Sequence, residues 1–170
     1  MKYFLLLVLL FSINILSQDK NKIIKDENSE PMLIGYCTRD AFNDSSFAWW
    51  FDPEYENYEP DSSVIEILRD KMKDVEIILV MGSWCDDSRI HVPHLYKILD
   101  EINYPTEEIT LIAVNEDKKT EGDEIEGLAI DLVPTIIFYR DNSELGRIVE
   151  MPNQSLEEDM VEIVSQEGLY

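Results

Sequence analysis

The residues best equipped for chemistry lie in one short segment, Gly82-Ser83-Trp84-Cys85-Asp86-Asp87-Ser88. It follows Val75 to Met81, an apolar run interrupted only by Glu76 that reads as a buried strand, and it opens a helical pattern from Asp86 to Glu101. A cysteine at such a junction meets unpaired helix N–H groups and the positive end of the helix dipole, which favour a thiolate, the nucleophile of disulfide exchange. The charges of Asp86 and Asp87 oppose a second negative charge beside them and act in the other direction. An inert buried cysteine is the plain alternative, and Trp84, Ser88 and the strand-to-helix position weigh against it.

Other reactive types are thinly spread. Cys37, the second cysteine, sits among Leu33, Ile34 and Tyr36 and reads either as a separate buried residue or as a resolving thiol. A bridge from Cys37 to Cys85 requires Cα atoms within about 7 Å. Cys85, His91 and His94 fall on one predicted helix, yet Cys85 is about 9 Å along the axis from His91, so no metal site is expected and both histidines read as helix surface. Adjacent acids such as Asp86 and Asp87 diverge by about 100° on a helix and do not make an acid–base pair. The chain has no Gly-rich phosphate loop, no G-x-S-x-G elbow and no zinc-finger spacing.

The elements that must position the segment are legible beyond Pro60. Ser63-x-x-Glu66 reads as a capping box, with Val64, Ile67, Leu68 and Met72 as the buried face of a first helix. Ile109 to Val114 reads as a second strand, and Asp123 to Ile130 as a short helix. Thr135 to Tyr139 and Leu145 to Val149 flank Asp141-Asn142 as a hairpin, and Ser155-x-x-Glu158 opens a last helix. This order predicts an α/β domain with a mixed sheet. From Tyr36 to Tyr58, both included, the chain has eight aromatic residues. They read as a flank packed on the domain, since Trp49, Trp50 and Phe51 are consecutive and cannot all face one way; a ligand platform is the other reading.

Taken with these elements, the sequence resembles the thioredoxin-like family, and more specifically exported members with a WC-x-D-S motif. Trp84-Cys85-Asp86-Asp87-Ser88 aligns with the family's W-C-x-x-C motif, Pro93 with the proline of its active-site helix, and Val133-Pro134-Thr135 with its cis-proline segment. The likeness covers about residues 63–166. It implies a thioredoxin-like fold, a mixed central sheet flanked by helices, with Cys85 as nucleophile and Trp84, Val133, Pro134 and Thr135 framing a substrate groove. Ser88 stands where the family has its second cysteine, Leu79 where it has a buried carboxylate, and Ala113 where it has that carboxylate's lysine partner. The resemblance therefore implies a monothiol mechanism with Ser88 as hydrogen-bond partner of Cys85 and a second thiol from elsewhere.

Composition bounds the partners. The chain has 170 residues, 36 acidic against 14 basic, for a net charge of -22. Such a balance repels nucleic-acid backbones and anionic headgroups, while 45% hydrophobic content sets the chain apart from a disordered acidic tail. Lys2, the apolar run from Tyr3 to Leu16 and Ser17 predict a secretory signal peptide over residues 1–17, with an uncleaved anchor as the other reading. The expected organisation is a signal peptide (1–17), a flexible leader with an aromatic-rich extension (18–60), and a thioredoxin-like domain (61–170). The expected location is the periplasm or the extracellular space. The expected partners are polypeptide thiols or disulfides and a separate reductant, with no cofactor, no metal, no nucleic acid and no membrane contact after cleavage. A non-catalytic binding module using the groove beside Pro134 and the aromatic segment is the competing reading.

Overall fold

The computed structural model describes residues 20–166; the expected signal peptide lies outside the described residues. Six strands form one sheet: β1 (Lys22–Lys25), β2 (Pro31–Cys37), β3 (Glu76–Met81), β4 (Thr110–Ala113), β5 (Thr135–Arg140) and β6 (Ser143–Val149), in the order β1-β2-β4-β3-β5-β6. Only β3 and β4 run parallel; the helix between them, α3 (Asp86–Glu101), makes the crossover that a parallel pair needs. The hairpin of β5 and β6 leads into α4 (Leu156–Val164), which opens on the full Ser155–Glu158 capping box. Before β3 come α1 (Ser45–Asn57) and α2 (Ser62–Lys71). This is the expected α/β architecture, a mixed central sheet flanked by helices.

Period-two alternation divides the strand residues between two faces. Leu79, Met81, Leu111, Ala113, Ile136 and Phe138 join a core to which all four helices contribute. On the opposite face Val80, Ile112, Val114 and Val133 form a smaller cluster, covered by Ile125, Leu128 and Ile130 from the loop before β5.

Four expectations are corrected. The leader and extension at 18–60 are neither flexible nor apart over their described part: β1 and β2 extend the sheet, and Phe42, Phe47, Trp50 and Phe51 are buried in the main core with Tyr96. The aromatic cluster packs, with Phe42 and Phe51 stacked at 4.5 Å. The cap of α2 is Asp61, whose carboxylate accepts from the Ser63 N–H, so Ile65 takes a buried position and Ile67 is exposed. No helix forms at 123–130, because Gly127 and Ala129 hold φ of 80° and 52° and the Glu124 carboxylate turns back onto the Gly122 N–H. Finally, His91 and His94 are half-buried: His94 stacks on Tyr58 and reaches Glu54, while Nδ1 of His91 is buried with no hydrogen-bond partner among the described residues.

Candidate active site

Where β3 ends, the chain makes a tight turn in which the Cys85 N–H donates to the Gly82 carbonyl at 3.0 Å. Gly82 is required here by close approach: a Cβ at this position would lie 2.6 Å from the Trp84 indole. The indole N–H in turn donates to the Val114 carbonyl at 2.9 Å, just beyond the neighbouring strand β4. Trp84 is thereby pinned flat over the turn, half-buried, with the Lys118 ammonium 5.6 Å from its ring centre.

Cys85 is the N-cap residue of α3, with extended backbone (φ -84°, ψ 128°) and a side chain that does not cap the helix. Its partly exposed thiol donates to the Val133 carbonyl at 3.2 Å. The Val133–Pro134 peptide bond is cis. Around it, the buried Thr135 hydroxyl donates to the Leu132 carbonyl at 2.7 Å, and the Pro134 carbonyl accepts the Glu150 N–H at 2.8 Å. Trp84, Cys85 and Val133 thus meet at one end of the sheet, all in the smaller apolar cluster, with Pro134 and Thr135 adjoining.

Ser88 departs from expectation. It is fully buried, and its Oγ accepts the Gly82 N–H at 3.2 Å; among the described residues it makes no hydrogen bond with Cys85. The hydroxyl satisfies the turn's backbone rather than the sulfur, since an unpaired N–H in the core costs about 1–3 kcal/mol. Leu79 and Ala113 are also wholly buried in the main core, so hydrocarbon fills the places of the family's carboxylate and lysine.

Cys37 is not in reach of Cys85. It lies on β2, which is separated from β3 by β4, and its sulfur faces the main core. At about 4.8 Å per strand the two backbones are about 10 Å apart, beyond the disulfide limit, and Cys85 leans the other way, toward the segment before β5. Both cysteines are free thiols. Burial pushes the Cys37 thiol up to about 11, and nearby backbone hydrogen bonds offset this only in part.

Three residues that the sequence reading missed hold this end together. Ser83 is buried; its Oγ accepts the Leu33 N–H at 3.0 Å, tying the turn to β2. Arg89 donates from Nε to the Ser83 carbonyl at 2.9 Å and from a terminal nitrogen to Asp86 at 3.3 Å. Trp49 of α1, highly exposed, lays its ring 5.5 Å from the Arg89 guanidinium. The place of Arg89 one helical turn after Cys85 was a usable signal; Ser83 and Trp49 lay in segments the sequence singled out, but nothing local told of their contacts with Leu33 and Arg89.

No protein-family model matches the chain, and no curated protein matches it. Among solved structures, a protein of unknown function from Pseudomonas aeruginosa is similar at 20% identity, over 69% of this chain and 79% of its own, with a TM-score of 0.49. A thioredoxin from Fasciola hepatica is similar at 19% identity over 49% of this chain and 75% of its own, with a TM-score of 0.35. An Arabidopsis thaliana thioredoxin in its oxidized state has 23% identity over 51% and 71%, with a TM-score of 0.34.

Proposed function

We propose that this chain is an exported thiol–disulfide exchange protein that works through the single thiol of Cys85 on polypeptide or small disulfide substrates. The observation that carries the reading is a partly exposed thiol at the start of α3, hydrogen-bonded to the carbonyl that precedes Pro134. In the first step the Cys85 thiolate attacks one sulfur of a substrate disulfide. The substrate S–S bond breaks, a mixed disulfide with Cys85 forms, and the other substrate sulfur leaves as a thiolate that takes up a proton. In the second step the thiolate of another molecule attacks the substrate sulfur of the mixed disulfide and releases Cys85. Oxidation state balances throughout, because one disulfide is exchanged for another. Ser88 and Arg89 act as positioning residues: the first holds the Gly82 N–H, the second the Ser83 carbonyl.

The export element of this reading rests on the apolar run from Tyr3 to Leu16 and the exit at Ser17. A binding module without turnover is the second reading, favoured by the apolar Leu79 and Ala113 and by the separation of Cys37 from Cys85.

The test is alkylation mapping followed by trapping. At neutral pH in the folded protein, iodoacetamide should modify Cys85 alone, with Cys37 reacting only after denaturation. A peptide carrying an activated mixed disulfide should then label Cys85 and be discharged by added thiol, and Cys85→Ser should abolish labelling. A Cys85 inert to the activated disulfide overturns the exchange mechanism and leaves the binding module; a native Cys37–Cys85 bridge overturns the single-thiol mechanism.

A further inference from the structure

Seven large apolar side chains are exposed among the described residues, and five of them belong to segments that meet at the Cys85 end. Leu132 immediately precedes Val133. Val149 is paired with Thr135 across the β5–β6 ladder, and Met151 follows, its N–H on the Val149 carbonyl. On the other flank, Trp49 covers Arg89, and Ile90 is the next residue of α3. Trp49 and Met151 are the most exposed of the seven, at 64% and 61%. Exposed apolar residues scattered singly need no explanation; five on the segments that flank one thiol make this end a candidate docking surface.

The charges around the same end have one sign in excess. Asp86 and Asp87 begin α3, Asp131 lies two residues before Val133, and the Glu150 N–H is bonded to Pro134. The turn after Val114 adds Glu116 and Asp117. Against these six carboxylates stand three cations. Arg89 is already engaged by the Ser83 carbonyl, Asp86 and the Trp49 ring, Lys118 lies by the Trp84 ring, and Lys119 closes the turn that holds Glu116 and Asp117. A polypeptide approaching the sulfur therefore meets apolar anchors within a negative field, and the complementary ligand is apolar and cationic.

We infer that this end docks a basic, apolar stretch of polypeptide, with Trp49 and Met151 as anchors on opposite flanks and Asp131 and Glu150 among the carboxylates that select its charge. The inference rests on the reading of Cys85 as a thiol that meets polypeptides, and adds to it the charge class of the ligand and an anchor supplied by α1. Met suits the role because its unbranched thioether adapts to varied side chains. Trp offers a broad face to apolar groups, and to a ligand cation over its free side.

Binding is measured by fluorescence anisotropy on the full chain, using labelled peptides of one apolar framework with serine in place of cysteine, bearing either lysines or glutamates. At low salt the lysine peptide should bind at least about tenfold more tightly, and the gap should close to about twofold at about 0.5 M sodium chloride. Trp49→Ala and Met151→Ser should each weaken the lysine peptide about fivefold or more, and the Asp131→Asn, Glu150→Gln pair should narrow the discrimination. Equal binding of the two peptides, binding of neither, or indifference to both anchor variants overturns the inference. Because these peptides carry no thiol, the result separates from the exchange reading: a chain that forms mixed disulfides at Cys85 but fails here loses only the docking surface. One that binds the lysine peptide while Cys85 stays inert keeps the surface and loses the exchange.

Discussion

A single methyl group at position 82 is enough to disturb the site, because it would stand 2.6 Å from the Trp84 ring, closer than packed carbon atoms allow. The ring cannot retreat without giving up its hydrogen bond to Val114 at 2.9 Å. Gly82→Ala is therefore expected to cost about 1–3 kcal/mol and to alter the near-ultraviolet circular dichroism of the folded protein, as read by urea denaturation and spectroscopy. An unchanged spectrum and midpoint would show that the indole has room the geometry does not provide. At this scale the sequence was legible where residues are neighbours in the chain, as Trp84 and Cys85 are in one turn; that Cys85 reaches the Val133 carbonyl is shown only by the fold. The sequence was misleading at Ser88, whose hydroxyl serves the Gly82 N–H, since spacing along a helix does not say which of two nearby groups a hydroxyl satisfies. The roles of Ser83 and Trp49 were not legible because their partners, Leu33 and Arg89, lie in distant segments of the chain, whereas the hydrogen bonds of Arg89 are local and could have been anticipated.

Among the elements, α1, α3 and α4 are tied by a polar cluster inside otherwise apolar packing. The Tyr58 hydroxyl, just past α1, donates to the buried Glu157 carboxylate of α4, whose other oxygen accepts the Asp61 N–H at 3.0 Å. Burial alone would raise the Glu157 carboxyl, but these hydrogen bonds more than reverse it and hold it below its usual range. Glu157→Gln keeps the shape and halves the acceptors facing Tyr58 and Asp61, so about 1–3 kcal/mol of stability should be lost at neutral pH. Thermal denaturation should register this as a drop of several degrees. With the folded value depressed, the carboxylate's contribution is present above its unfolded value of 4.5 and lost as pH falls through the folded one. Wild type and variant should accordingly converge in acid, and a gap that persists there would assign the loss to packing. The helices and strands after Pro60 were legible because their periodicity is long and their caps are local. The strands β1 and β2 were not: Lys22–Lys25 is too short for a period, and its turn depends on the Asp26 carboxylate collecting the Asn28 and Glu30 N–H groups.

Over the whole molecule, acidification sets two effects against each other. With 36 acidic and 14 basic residues, most carboxylates have no cation to pair with, and their mutual repulsion is relieved by screening or by protons. That relief by protons comes near the carboxylate range, about pH 4–4.5. His91 and His94 respond earlier. Burial holds both below the ordinary 6.5, against Asp87 and Glu54 facing His91, and against Glu54 and Glu157 facing His94. Since the folded values are depressed, the unfolded chain binds more protons in this window; the stability is present above 6.5 and lost as pH falls through the folded values. Protonating His91 would also place a charge beside a buried nitrogen with no partner among the described residues. The urea midpoint is thus expected to fall between pH 7.5 and pH 5.5, where the carboxylates remain ionised, and a His91→Leu variant should flatten that fall. Repeating the series at about 1 M salt should raise every midpoint while leaving the fall in place, because screening acts on the exposed carboxylates and hardly on half-buried imidazoles. A midpoint that rises steadily from pH 7.5 downward would mean that charge relief governs the molecule throughout and that the histidines contribute nothing to its pH dependence.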